Sequence, residues 1–294
     1  MQIEPHVSFV VKMKISERHL ITKLFSKHSL QILAEEGGNH KIQELIHHHL
    51  SERSCSILEA FEFLYNRLFM EYRNEYVYKN AIAEKIVKGR HKMANISYFT
   101  EFRVRKTIAD CVIVNGYSTA YEIKTEFDSF YRLQDQLESY KKVFEKVNIV
   151  VPESKVKKLK QEVSGSIGIV VLTDRYTFES VQESDIHTEF LQHDVIFDCL
   201  NKKEIFDIIL ENFGSLPQAQ PAFLRNKCKD MFNSLPKEVV SSEFKKALKQ
   251  RRTLAKHKNA LLKSPNSLLS LMCASNFSEQ NYKIILHNLE QQLS

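Results

Sequence analysis

Residues 101–152 read EFRVRKTIADCVIVNGYSTAYEIKTEFDSFYRLQDQLESYKKVFEKVNIVVP, and the order of strand and helix signals here decides the fold. Ile108 to Val114 is a short apolar run interrupted by one carboxylate, Asp110. Asn115-Gly116 follows as a turn signal, and Ala120 to Lys124 is a second run. A two-residue period puts Glu122 and Lys124 on one face and Ile123 on the other. If the runs pair as a hairpin, Asp110 lies beside Glu122, and two carboxylates and an ammonium converge. Like charges so placed repel and raise each other's pKa. A divalent cation relieves that conflict, because Mg²⁺ takes carboxylate, water and phosphate oxygens. On these residues alone a surface hairpin with a salt bridge is the other reading, since E-x-K is a short pattern.

The spacing of Asp110, Glu122 and Lys124, followed by Gln136 and Tyr140 in a Q-x-x-x-Y arrangement, resembles the PD-(D/E)XK nuclease superfamily. The string from Glu122 to Tyr140 is closer still to one largely uncharacterised bacterial and phage branch of it. Ala109 stands where that superfamily's proline would precede the first Asp. The resemblance covers about residues 71–175 and implies a restriction-endonuclease-like mixed β-sheet core flanked by helices, an α/β fold. It also implies that Asp110, Glu122 and the Ile123 carbonyl hold Mg²⁺ or Mn²⁺, with Glu75 on the preceding helix as a further ligand. Lys124 would position or activate water, and Gln136 would orient the scissile phosphate. The implied activity is phosphodiester hydrolysis, on DNA before RNA, in phage or mobile-element defence, counter-defence or recombination. A nuclease fold that only binds nucleic acid or a protein is the alternative. Arg132 suits the substrate backbone, since guanidinium matches phosphate geometry, while Tyr140 suits either a phosphate or helix–sheet packing.

Outside this stretch, 294 residues with 43% hydrophobic content suffice for more than one core. The reading is a helical region over 1–70, the nuclease-like core over 71–175 and a helical accessory region over 176–294. No apolar run approaches the roughly 18 residues of a membrane span, and the N-terminus lacks a signal-peptide pattern. Five scattered cysteines without C-x-x-C spacing read as reduced thiols in a cytoplasmic protein and argue against a zinc site. The net charge of +6 suits a polyanion partner. Residues 244–263 carry eight Lys or Arg and no acid; Lys249, Arg251 and Arg252 there are assigned to nucleic acid. Lys155, Lys157, Lys158 and Lys160 form a second basic cluster, and Lys85, Lys88, Arg90 and Lys92 a third. Each is equally a solvated helix face. The helical C-terminal region is open to a protein partner, and the chain to homodimerisation.

The expected elements are an extended 1–14 and helices at Ser16, Leu30–Glu36, Lys41–Leu50, Ser54–Phe69 and 71–89, the last ended by Gly89. The helix–glycine–helix outline of 30–50 is either a DNA-reading hairpin or plain helical packing. His47-His48-His49 cannot chelate one ion from a helix, where successive residues point about 100° apart. Strands are expected at Ser97–Arg105, Asn148–Val151 and Gly168–Leu172, with an edge strand at Tyr176–Val181. Glu101 is either close to the metal or paired with Arg103 or Lys106. Helices are expected at Asp128–Lys146 (capped by Asp128), Glu153–Glu162, Val195–Leu210, Ala222–Phe232, Ser241–Leu262 and Glu279–Leu293. The core sheet then has four or five strands.

Overall fold

The computed structural model describes residues 13–50, 55–88 and 96–293. The expected extended segment before Met13, the helix end at Gly89, the side chains of His48 and His49, and the basic cluster beyond Lys85 lie outside them.

The sheet is mixed and six-stranded, in the order β1 to β6: Ser97–Val104, Thr107–Asn115, Tyr117–Ile123, Lys146–Val151, Gly168–Leu172 and Phe178–Gln182. The first three strands run antiparallel, β3 to β5 run parallel, and β6 returns antiparallel at the edge. The parallel pairs demand crossovers, supplied by α6 (Leu133–Lys141) and α7 (Val156–Glu162). The sheet exceeds the four or five strands expected for its core because the edge strand expected at Tyr176–Val181 forms, as β6, and pairs with β5. The β2–β3 turn is where Asn115-Gly116 signals it, with Gly116 at φ +76°, a conformation a Cβ disfavours.

Helices cover both faces. Before the sheet come α1 (Ile15–Leu24), α2 (Lys27–Leu33), α3 (Gly38–Leu50), α4 (Ile57–Glu71) and α5 (Glu75–Ile82). After it come α8 (His193–Cys199), α9 (Lys202–Phe213), α10 (Pro221–Asn233), α11 (Lys237–Arg251), α12 (Lys258–Lys263), α13 (Leu269–Ala274) and α14 (Glu279–Glu290). One core joins the N-terminal helices to α13 and α14 over the face that carries Tyr98, Cys111, Ile113 and Ile123. The other joins α6 and α8 to α11 over the face that carries Phe102, Val112, Val114 and Ile149. The helices after residue 176 therefore divide between the two faces, and the chain's ends pack together on one of them. The helix pair α2–α3 is part of that packing, with Leu30, Leu33, Ile42 and Ile46 buried.

Several helix ends differ from the sequence reading, some for a local reason and some through a distant backbone contact. Helix α1 starts at Ile15, one residue before Ser16, because the Glu17 carboxylate accepts the Lys14 N–H at 2.8 Å. The stretch 71–89 is not one helix: Glu71 closes α4, and Asn74 caps α5 by accepting from Val77 N–H. Asp128 caps no helix, because its carboxylate accepts from Thr125 N–H (2.8 Å) and Thr125 Oγ1 (2.7 Å). Helix α6 therefore begins only at Leu133, and it stops at Lys141 so that the chain can enter β4. The expected helix 195–210 breaks at Asn201, whose reciprocal bonds with Glu204 start α9. The basic helix ends at Arg251, where Leu254 N–H instead joins Ile96 O at 3.0 Å beside the start of β1. The last helix ends at Glu290 because Leu293 N–H bonds Cys55 O. Helix α13 was missed because it is apolar all round and has no amphipathic signal; each of its residues is buried. None of Cys55, Cys111, Cys199, Cys228 and Cys273 is joined in a disulfide. Among the described residues no helix is long and apolar enough to cross a membrane.

Candidate active site

The alternation of strand faces slips at one place in the sheet. On β1, Tyr98 belongs to one core and Phe102 and Val104 to the other; on β2, Ala109 and Cys111 belong to opposite cores although both are odd-numbered. The slip falls on Glu101 and Asp110, and Glu101 has a left-handed φ of +56° in mid-strand. The pairing of Thr100 with Cys111 and of Phe102 with Ala109 brackets Glu101 opposite Asp110. Carrying the β2–β3 register one step past Cys111–Tyr121 sets Glu122 opposite Asp110 on the other side. Asp110 thus stands between two glutamates on neighbouring strands, at the point where the backbone is strained.

Tertiary contacts settle which of these carboxylates faces which partner. Glu101 turns away to Lys27 (2.8 Å) and Lys79 (3.6 Å), not to Arg103 or Lys106. Asp110 Oδ2 accepts the Ile123 N–H at 2.6 Å, which locks its carboxylate to the end of β3. Glu122 is buried, with only 2% of its side chain exposed. Its Oε1 accepts from Lys124 Nζ (2.7 Å) and Gln136 Nε2 (2.6 Å), and its Oε2 accepts from Tyr140 OH (2.8 Å). Lys124 Nζ also donates to Gln136 Oε1 at 2.9 Å, so Lys124, Glu122 and Gln136 form a closed triangle. Gln136 and Tyr140 reach Glu122 together because residues four apart share a helix face. Two of the three Lys124 ammonium protons have acceptors in this triangle, leaving one for a substrate or water.

The charges are held under stress. Burial, then the charge of Glu122 and then that of Glu75, push the Asp110 carboxyl well above its ordinary value of 3.8. Burial likewise pushes Glu122 up, against the opposing pull of Lys124, Tyr140 and Gln136. Burial alone would lower the Lys79 ammonium, but Glu75 more than offsets it and the pKa rises.

A carboxyl whose folded-state pKa is raised favours the fold below its ordinary value. That contribution is lost as pH climbs through the raised value, and above it the charged group is a constant penalty. Asp110→Asn keeps an acceptor for Ile123 N–H and removes the charge. At pH 8 without divalent cations it is expected to stabilise the protein by on the order of 1 kcal/mol, a Tm rise of about 2–4 °C. The gain should shrink as pH falls. Thermal unfolding across pH checks this, and a lower Tm at pH 8 would contradict it.

The remaining site residues are distributed unevenly. Glu75 is half-exposed and salt-bridged to Lys79 at 2.5 Å, close enough to Asp110 to perturb it. Among the described residues no group of three or more His, Cys, Asp and Glu side chains stands ready to hold a metal ion. Tyr140 is no phosphate contact here: it is fully buried, and its hydroxyl lies 2.6 Å from Ile108 O as well as 2.8 Å from Glu122. It positions Glu122. Arg132 is exposed just before α6. Lys249 lines a groove with Gly116, Lys245 and Lys246 at the turn end of the β2–β3 hairpin. Gly116 lies six steps along the chain from Asp110, about 20 Å at ~3.3 Å per residue. Arg251 is directed inward, its guanidinium bound by the buried Glu204 and by Cys199 O. Arg252 lies over the Phe99 ring at 5.3 Å and reaches Tyr98 O. The basic run of α11 therefore anchors the C-terminal helices to the sheet more than it faces the carboxylates. Sequence reasoning missed Lys79, although Glu75 and Lys79 four apart on a helix was a usable signal.

A family model for bacteriophage P4 protein cII matches residues 69–271. The chain is also similar to protein cII of Enterobacteria phage P4, with 34% identity over 104 residues. That match takes in 35% of this chain and 37% of the phage protein, so it spans little more than a third of the curated relative's length. No solved structure matches the chain.

Proposed function

The chain belongs to the bacteriophage P4 protein cII family, and we propose that it is a metal-dependent nuclease of the PD-(D/E)XK kind, cutting phosphodiester bonds in DNA. The observation that carries this reading is the triangle of Glu122, Lys124 and Gln136 beside an Asp110 whose carboxyl is held at raised pKa. A salt bridge kept for stability alone has no need of two adjoining carboxylates with mutual repulsion. In this reading the mixed sheet with helices on both faces is a restriction-endonuclease-like core.

The donor set is hard oxygen, which fits Mg²⁺ or Mn²⁺: the Asp110 and Glu122 carboxylates and the Ile123 carbonyl would hold the ion, while Glu75 on α5 is engaged by Lys79 and would join only by turning from it. When bound, the cation supplies positive charge to the phosphate and lowers the pKa of a coordinated water. Lys124 presents its remaining proton to the attacking water or to a phosphate oxygen. Gln136 fixes Lys124 and Glu122 against each other, so neither has to reorganise as charge develops. Tyr140 holds Glu122 in the rotamer that faces Asp110. Arg132 offers a guanidinium to the substrate backbone where α6 begins. The setting in phage or mobile-element biology, as defence, counter-defence or recombination, belongs to this proposal too.

The test is incubation of linear, circular, single-stranded and branched DNA, and of RNA, with Mg²⁺, Mn²⁺ or EDTA. Cleavage is expected with either cation, none in EDTA, and none by Asp110→Asn. Failure of the wild type to cut any substrate, with nucleic-acid binding intact, would turn the reading to a binding module on the same fold.

A further inference from the structure

The segment from Thr125 to Arg132, between the lysine of the site and the helix that carries Gln136, exposes aromatic rings where a simple connection has no use for them. Phe127 is 61% exposed and Tyr131 93% exposed. The segment is braced from within. Thr125 and Asp128 are bonded to each other, Lys155 Nζ donates to Asp128 O, and Phe130 is buried beneath as the anchor. Cations lie around the Phe130–Tyr131 end, while the exposed acids Glu126 and Asp128 flank Phe127. Lys155 and Lys158 lie over the Phe130 ring at 5.3 and 5.6 Å, and Arg132 is exposed next to Tyr131. On the other side Phe127 packs on Tyr72 with ring centroids 5.1 Å apart, and the Arg18 guanidinium lies 5.0 Å over Tyr72.

We propose that this segment is a stacking platform for unpaired bases, which delivers a single-stranded portion of the substrate to the Asp110–Glu122 carboxylates. The proposal rests on the nuclease reading for its placement beside the carboxylates, and on the rings and cations for its chemistry. Duplex DNA presents phosphates, which cations alone can bind, and hides its base faces in the stack. Exposed rings with Lys and Arg close by suit bases that have a free π-face, and such stacking tolerates any sequence. Phe127 and Tyr131 reach the substrate through this braced loop and touch neither Glu122 nor Lys124, so they select the substrate's form and not the chemical step.

The experiment is fluorescence anisotropy in EDTA, where nothing is cut, with a labelled thymidine oligonucleotide of about 20 residues and a hairpin duplex of equal charge. The wild type is expected to bind the single strand more tightly than the duplex. Tyr131→Ala is expected to weaken single-strand binding by about tenfold or more, and the Phe127→Ala, Tyr131→Ala double variant by about a hundredfold. Duplex binding should change less than about twofold in both, and Tyr131→Phe should bind like the wild type. An abasic oligonucleotide should bind the wild type no better than the thymidine strand binds the double variant. Equal losses on both DNA forms, no loss on either, or a ring-dependent loss seen on phosphatidylserine vesicles instead would overturn the proposal. Ring-dependent single-strand binding without cleavage in Mg²⁺ would keep the platform and remove the nuclease. Cleavage of single-stranded DNA at subsaturating concentration by the double variant at wild-type rate would do the reverse.

Discussion

Lys124→Ala is expected to lower the rate of DNA cleavage by about a thousandfold. The lysine stands 12% exposed, with its ammonium shared by Glu122 and Gln136 and one proton left to give. Loss of a group that transfers or steers a proton in the transition state costs about 10²–10⁴-fold. Three decades correspond to about 4 kcal/mol of barrier. The alanine variant also leaves Glu122 without its cation, so Glu122's carboxyl should be held neutral to higher pH still. Lys124→Arg keeps the charge but cannot fit a planar fork into the closed triangle, and should be nearly as inactive. Binding in EDTA should change less than about threefold, because only one of the contacts to phosphate has gone. Single-turnover cleavage under saturating enzyme measures the step directly. A loss smaller than tenfold would mean that Lys124 is a structural partner of Glu122 only.

The largest stability effect is expected far from this chemistry, at Glu145. It is buried at the entry to β4, and four groups converge on it. Its Oε2 accepts from Ser118 N–H at 2.8 Å and lies 3.5 Å from Ser118 Oγ, while its Oε1 accepts from Ser241 Oγ at 2.8 Å and Lys245 Nζ at 2.7 Å. The carboxylate therefore ties the β2–β3 hairpin to α11. Glu145→Ala strands a buried N–H and a buried hydroxyl as well as an ammonium that is about a fifth exposed. The expected cost is about 3 kcal/mol, discounted for that exposure. Glu145→Gln keeps an acceptor for Ser118 and should cost roughly half as much. Urea unfolding measures both. If the alanine variant lost less than about 1 kcal/mol, α11 would be held by its apolar face alone.

The order of these effects reflects what a linear reading can reach. Asp110, Glu122, Lys124 and Gln136 were identifiable because a hairpin and the helix after it bring them together over a separation of only 26 residues. Short-range register does most of that work: one turn at Asn115-Gly116 fixes Asp110 against Glu122. Tyr140 suits a phosphate contact or helix–sheet packing on sequence alone; in the fold it is buried between α6 and the sheet, and its bond to Glu122 is a third role that the sequence did not show. Glu101 was visible as a charge beside the site, but its left-handed φ and its turn towards Lys27 and Lys79 come from packing of α2 and α5 against β1. Lys249, Arg251 and Arg252 formed one basic run on paper. In the fold they separate, because consecutive helix positions face different neighbours and Glu204 draws Arg251 inward.

Periodicity, turn residues and the carboxylate–lysine spacing were enough to establish a mixed α/β chain, the central hairpin and the residues that meet on it. These are local properties, set by backbone geometry within a few tens of residues. The end of the basic helix at Arg251, the division of the C-terminal helices between the two sheet faces, and the pairing of the chain's two ends over one face depend on contacts more than a hundred residues apart. Asn288 Nδ2 bonded to Leu33 O and Gln43 Nε2 bonded to Gln292 O are two of them. No window of sequence contains both partners of such a contact. Only when the sheet has collected its helices does burial fix which charges are stressed, which are paired and which face outward.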